Sequence, residues 1–180
     1  FLSIRRDLLR TAQALYLADL TDAFTSEHTE NYPVYRLLLD SIRLLERSPG
    51  RDILSRYFEI QIASQTGYSP QLYCCVNCTS PLRPVKNYFT PSGGGILCPS
   101  CPRTEPVVQP ISTEALKVLR LLHRGDYPTA ARLRLSPSLA QELRHITQGY
   151  VRHLLERDLR SSDFIDHLRR EDSLGERLLR

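Results

Sequence analysis

All five cysteines of this 180-residue chain lie between positions 74 and 101, and four of them form two C-x2-C pairs, Cys75-Val76-Asn77-Cys78 and Cys98-Pro99-Ser100-Cys101, nineteen residues apart. That spacing suits a four-cysteine zinc site. A two-residue knuckle turns both sulfurs of a pair toward one point, and two knuckles close a tetrahedron of thiolates about 2.3 Å from the metal. The expected ligands of one Zn2+ ion are Cys75, Cys78, Cys98 and Cys101. Four thiolates fill the coordination shell and leave no place for an activated water, so the expected role is structural. The surrounding stretch is too poor in apolar residues to fold alone, and metal binding would supply folding free energy on the order of 10 kcal/mol. Cys74 leaves the register open: a C-x3-C knuckle is less usual, which favours Cys75 as the ligand. A disulfide framework fits poorly with an odd cysteine count and no export signal.

Other chemistry is sparse. His28 falls in a polar stretch, and His123, His145, His153 and His167 are scattered over expected helices among arginines, where surface or packing roles are the ordinary ones. The chain has no phosphate-binding loop of the G-x-x-x-x-G-K-[ST] type, no H-E-x-x-H and no G-x-S-x-G. Ser92-Gly93-Gly94-Gly95 lacks the strand and helix of a dinucleotide fingerprint and reads as the turn entering the second knuckle. Nothing here calls for catalysis, and the expectation is that the chain is not an enzyme.

The elements that must position the cysteines follow from periodicity. Ile4, Leu8, Ala12, Leu15, Tyr16, Leu20 and Ala23 recur at three- and four-residue steps, predicting one helix to about Phe24. Tyr35, Leu38, Leu39, Ile42 and Leu45 predict a second, opened by Tyr32-Pro33 and stopped by Ser48-Pro49-Gly50. A third runs from Asp52 to about Thr66 through Ile53, Leu54, Tyr57, Phe58 and Ile62, with Gly67 placed as a left-handed cap. Short links suggest that these three are antiparallel neighbours. From Tyr68 to Pro110 the helical period vanishes, and strand-like pieces appear at 85–89 and 95–97. Helices resume at Ser112–Gly125, Asp126–Leu135, Ser136–Leu159 and Asp163–Arg169. The reading is a mainly α fold, a helical bundle with an inserted four-cysteine zinc ribbon containing short β-strands. Residues 1–70 and 111–170 form the two parts of the helical domain, 71–110 the insertion and 171–180 a charged tail.

Composition agrees with a folded chain of 41% hydrophobic and 24% charged residues. No apolar run reaches the roughly 20 residues of a membrane span, and no secretory leader is legible at the start. Methionine is absent even at position 1, so a fragment or trimmed domain is expected. Of the 24 basic residues only Lys86 and Lys117 are lysine. Arginine suits bidentate contacts to phosphate and carboxylate. Residues 112–160 hold 9 basic and 5 acidic side chains, against 8 and 9 in residues 1–70, so the net charge of +4 comes from the second half.

Several strings together resemble a known family. Tyr57-Phe58-Glu59-Ile60, Gly67-Tyr68-Ser69-Pro70-Gln71-Leu72, Cys75-x2-Cys78 and Gly94-Gly95-Ile96-Leu97-Cys98-x2-Cys101 resemble the central stretch of the bacterial RecO recombination-mediator family. Arg157-Asp158-Leu159-Arg160-Ser161 with Phe164 is similar to that family's C-terminal motif, where lysine is more usual at position 160. The likeness runs from Leu8 to about Leu168 and departs at Thr79, where glycine often follows the knuckle, and at the extra Cys74. Family members carry an N-terminal OB-fold, and nothing before Ile4 resembles one, so weakened nucleic-acid binding is expected.

The resemblance implies a non-enzymatic role in homologous recombination in the bacterial cytoplasm, associated with the nucleoid. It implies binding to single-stranded and duplex DNA, to RecR and to the acidic tail of single-stranded DNA-binding protein, assisting RecA loading and strand annealing. An acidic tail ending in an apolar residue needs an apolar pocket rimmed by cations; the candidates are Arg56, Lys117, Arg120 and Arg124. For nucleic acid they are Arg83, Lys86 and Arg103 on the ribbon and Arg132, Arg134, Arg144 and Arg152 beyond it, with Tyr73, Tyr88 and Phe89 as aromatics able to stack or to pack on the metal module. The alternative is a zinc-stabilised protein-interaction scaffold whose arginines meet acidic proteins and no nucleic acid.

Overall fold

The computed structural model describes every residue except 1, 28, 29, 48–51, 103, 104, 158, 160, 163, 166 and 169–180. Among the described residues the order is α1 (Leu2–Arg5), α2 (Leu8–Phe24), α3 (Tyr32–Arg47), α4 (Asp52–Gln65), β1 (Asn87–Thr90), β2 (Gly95–Leu97), β3 (Gln109–Ile111), α5 (Thr113–His123), α6 (Tyr127–Ala130) and α7 (Pro137–Leu155). The fold is mainly α with one small antiparallel sheet. The chain forms two compact units, Phe1–Arg51 with Arg157–Arg180, and Asp52–Glu156.

In the first unit the expected opening helix is broken. Asp7 takes an extended backbone and its carboxylate accepts the Arg10 N–H at 3.1 Å, capping α2, while Thr11 Oγ1 donates back to Ile4 O at 2.8 Å across the break. The buried face also differs from the simplest stripe. α2 buries Ala12, Gln13, Tyr16, Leu17 and Leu20, whereas Leu8 and Leu15 are exposed; α3 buries Val34, Leu37, Ser41 and Leu45, whereas Tyr35 is exposed. Seven-residue steps connect Leu8 to Leu15, and a parallel row turned round the helix meets α3 instead. Ser48-Pro49-Gly50, His28 and the tail 171–180 lie outside the described residues. So do both ends of the expected last helix, Asp163 and Arg169, and Arg160 of the C-terminal motif; Ser161, Ser162, Phe164, Ile165, His167 and Leu168 are helical.

The second unit is built on α4, which packs against α5, α6 and α7. A helix covered nearly all round must be apolar on most faces. Ile53, Leu54, Phe58, Ile60, Ile62 and Ala63 meet that demand, and the polar Arg56 and Glu59 are buried with them. Gly67 follows at φ +93°, a conformation open to glycine. The sheet has order β2-β1-β3, with Tyr88 opposite Leu97 and Asn87 opposite Ile111. β3 was not legible in the sequence because Pro110 argues against a strand; it stands exposed on an edge strand, where no inner ladder bond is lost. Phe89 meets Tyr150 of α7 edge-on with centroids 5.4 Å apart, and Tyr150 donates its hydroxyl to Tyr68 O at 2.9 Å.

Two later helices are shorter than the sequence suggests. α6 ends at Ala130 because Arg132 N and Leu133 N bond three residues back, to Thr129 O and Ala130 O, tightening the last turn. α7 ends at Leu155, where Glu156 takes a left-handed φ of 53° and donates to His153 O.

Candidate metal centre

Tyr68 to Thr79 returns from α4 and lays the first knuckle beside β2. Val76 N donates to Ile96 O at 2.9 Å, Gln71 N to Gly94 O at 2.9 Å and Ile96 N to Gln71 O at 3.0 Å, so this segment is held to β2 around a single parallel bridge between Gln71 and Gly95. Gly95 makes that approach feasible. A Cβ there would sit 2.5 Å from Gln71 O and 2.8 Å from a Val76 methyl, closer than real side chains come. The first knuckle closes through Thr79 N to Cys75 O at 2.9 Å, with Thr79 at φ +59°; the second closes through Cys101 N to Cys98 O at 3.0 Å. Beneath them Cys75, Leu97 and Cys101 form a small buried cluster covered by Val76, Leu82, Tyr88, Cys98 and Val108.

The Sγ atoms of Cys75, Cys78, Cys98 and Cys101 all lie within 4.8 Å of one another. Cys78 Sγ and Cys98 Sγ are 3.8 Å apart. A regular tetrahedron with metal–sulfur bonds of about 2.3 Å has edges of about 3.8 Å, so the donor set fits a zinc-sized ion. Cys74 does not join the group: its backbone bridges Pro81 and its N–H donates to Gln71 Oε1 at 3.3 Å, leaving the neighbouring Cys75 to turn inward. No histidine joins it among the described residues.

The electrostatics favour a bound cation. Hydrogen bonds from the Ser80 hydroxyl and backbone pull the Cys78 thiol down to about 6. Burial raises Cys75, but the backbone N–H groups of Cys78, Cys98 and Asn77 outweigh it and the net shift is downward. Asn77 also draws Cys101 down, yet the neighbouring sulfurs Cys98, Cys78 and Cys75 together with burial lift it to about 11. Four thiolates in one small space repel, and a divalent cation removes that repulsion. Such an ion would be held by these four cysteines and would supply a cross-link between the knuckles.

The module is tied to the helices of its own unit through Arg120 of α5. Its Nε donates to Leu72 O at 2.9 Å, and its guanidinium lies over the Tyr73 ring at 5.0 Å. On the adjoining turn, His123 Nε2 meets Ser69 Oγ at 2.7 Å, and burial lowers the pKa of the imidazole.

The expected partner-binding residues fall into distinct places. Arg56 stands on no open rim: it is 2% exposed and donates from Nη2 to Glu59 Oε1 at 2.7 Å, because α4 is enclosed by three helices. Lys117 and Arg124 are exposed on α5 and its cap, on either side of the half-buried Arg120. Arg83 and Lys86 are exposed before β1, with Lys86 beside Ser112, Thr113 and Glu142; Arg103 lies outside the described residues. Arg144 is half-buried and binds Asp52 Oδ2 at 2.9 Å, which turns it toward α4 and away from solvent. Arg132, Arg134 and Arg152 are exposed. Of the aromatics, Phe89 is 1% exposed in the core, Tyr88 packs on the cluster of Cys75, Leu97 and Cys101, and Tyr73 is open on one face.

One grouping was not legible in the sequence. The Asp126 carboxyl is held below its ordinary value first by hydrogen bonds from Thr129 and then by Arg124 and Arg132, so these two arginines, taken from the two separate candidate sets, flank one carboxylate. The signal available beforehand was the D-x-x-T capping pattern at Asp126, which folds the chain back after α5.

A family model described as "Recombination protein O C terminal" matches residues 5–163. The chain is similar to a DNA repair protein RecO of Dehalococcoides mccartyi, 35% identical over 170 residues and covering 94% of this chain and 67% of that one. It is similar to a DNA repair protein RecO of Roseiflexus sp., 37% identical over 169 residues, with 94% and 60% covered. A DNA repair protein RecO of Symbiobacterium thermophilum is 36% identical over 173 residues, with 94% and 68% covered. The chain thus spans 60–68% of the length of these curated relatives.

Proposed function

The chain belongs to the RecO C-terminal family of DNA repair proteins, and from that premise we propose that it works by recognition alone, as a recombination-mediator domain that binds DNA and protein partners without making or breaking bonds. The closed set of four sulfurs supports a structural metal, Zn2+ by donor type and spacing, with no open coordination position for chemistry. Among the described residues no helix is long and apolar enough to cross a membrane.

The observation that carries the reading is that Lys117, Arg124, Arg132 and Arg134 all stand exposed on α5, its cap and the loop after α6, with Arg124 and Arg132 both acting on Asp126. Arginine and lysine on a fixed surface suit polyanions, either phosphates or the carboxylates of an acidic tail. On this reading the DNA contacts come from Arg132, Arg134, Arg83 and Lys86. The acidic tail of single-stranded DNA-binding protein engages Lys117 and Arg124, with Arg120 fixing the surface between them. RecR binding, RecA loading and strand annealing are the roles such a domain would serve in the longer protein.

The test titrates the chain with single-stranded and duplex oligonucleotides, and with an acidic peptide ending in phenylalanine, at 50 and 200 mM salt. The expected result is oligonucleotide binding that falls steeply with salt and is lost in Arg132→Glu/Arg134→Glu. Peptide binding should be lost in Lys117→Glu/Arg124→Glu. Peptide binding with no oligonucleotide binding at either salt would replace this reading with the protein-only scaffold.

A further inference from the structure

The outward side of α3 presents a different kind of surface, on the other compact unit. Val34, Leu37, Ser41 and Leu45 are buried, which leaves Tyr32, Tyr35, Arg36, Asp40, Arg43 and Arg47 exposed on the opposite side. Tyr32 and Tyr35 are 68% and 58% exposed, more than any other large apolar or aromatic side chain of the described residues except Leu8. Their rings pair at 6.3 Å between centroids and 37° between planes. An aromatic ring normally buries about 150–250 Å² in a core or interface. Two together in water form a surface that a planar partner would cover.

What lies along the same side identifies that partner. At about 1.5 Å per residue, the line from Tyr32 to Arg47 is roughly 22 Å long. Arg36 and Arg43 grip Asp40 between them at 3.5 and 3.3 Å. Asp40 and the half-buried Glu46 against three exposed arginines leave this side of the helix with a surplus of one positive charge. Cations in file with a tilted pair of exposed aromatics match an extended polyanion that carries planar groups. A duplex offers phosphates but hides its base faces, and an acidic peptide ending in one aromatic residue offers a single face to two exposed rings. Single-stranded nucleic acid offers both.

We propose that the exposed side of α3 is a second binding surface for single-stranded nucleic acid, with bases stacked on Tyr32 and Tyr35 and phosphates on Arg36, Arg43 and Arg47. The inference rests on reading the chain as a DNA-repair recognition protein, but it uses residues outside the surface described above.

The test measures fluorescence anisotropy of a labelled oligothymidylate and of an abasic deoxyribose-phosphate oligomer of equal length, using the full chain. The expected result is that Tyr32→Ala/Tyr35→Ala weakens oligothymidylate binding at least tenfold and leaves the abasic oligomer unaffected, since each base stack is worth about 1–3 kcal/mol. Arg43→Ala/Arg47→Ala should flatten the log–log salt slope by about 1.4, at about 0.7 per phosphate on a single strand. An unchanged thermal midpoint in both variants would exclude unfolding as the cause. Oligothymidylate binding untouched by the tyrosine pair but abolished by Arg132→Glu/Arg134→Glu would overturn this inference and leave the proposed function standing. No oligonucleotide binding by the unaltered chain would overturn both.

Discussion

Replacing Gly95 by alanine tests the close approach on which the four-cysteine module depends. The new methyl would lie 2.5 Å from Gln71 O, 2.8 Å from Val76 Cγ1 and 2.9 Å from Gln71 Cβ, and the first of these is backbone that cannot rotate away. Relief requires the Gln71–Val76 segment to move off β2, and the bonds Gln71 N to Gly94 O and Ile96 N to Gln71 O go with it. Together they contribute about 1–2 kcal/mol net, and a buried group left without a partner costs about 1–2 kcal/mol more, so the loss should be about 2–4 kcal/mol. At roughly 2–4 °C per kcal/mol for a chain of this size, the melting midpoint should fall by about 4–16 °C. Because Cys75 lies in the displaced segment, zinc affinity by competition with a chromogenic chelator should fall at least tenfold. Gly67→Ala is the control. Nothing lies within 4 Å of its added Cβ, yet its φ is +93°. It should cost about 1–2 kcal/mol through backbone strain alone and leave zinc affinity unchanged. If Gly95→Ala melts like the unaltered chain and holds zinc equally well, the packing of the first knuckle on β2 is wrong.

Three further outcomes follow from individual contacts. Cys74→Ser should keep one zinc per chain and Cys75→Ser should lose it, measured by metal content after gel filtration; the reverse pattern would move the ligand register by one residue. Arg120→Ala removes the bond to Leu72 O and the contact with Tyr73, so it should destabilise by about 1–2 kcal/mol in urea unfolding. Lys117→Ala, on the same helix but exposed, should change little. Burial depresses the pKa of His123 below its ordinary value of 6.5, so on acidification the unfolded chain takes up this proton first. The stability it supports is therefore complete above 6.5 and declines as the pH falls below it, and His123→Gln should flatten that part of a urea-midpoint profile.

Much of the site was legible from spacing alone. Two C-x2-C knuckles define their own geometry within a few bonds, which is why the four sulfurs could be named without a fold. Gly67 as a left-handed cap and Ser112 and Ser136 as N-caps are equally local. What spacing could not convey was which way each helix turns. Leu8 and Leu15 satisfy a helical period as well as Ala12, Tyr16 and Leu20 do, and the choice between rows depends on the neighbouring helix.

The sequence by itself determined a mainly helical chain interrupted by a four-cysteine module, because helix periodicity and knuckle spacing are short-range properties of covalent geometry. Tertiary structure alone decided what the arginines do. Arg56 is enclosed with Glu59, Arg144 is bound to Asp52 ninety-two residues away, Arg120 grips Leu72 and Tyr73, and Arg124 with Arg132 flanks Asp126. Arg56 pairs within its own helix, but Arg120 and Arg144 find acceptors 48 and 92 residues away, and no local spacing announces such a partner.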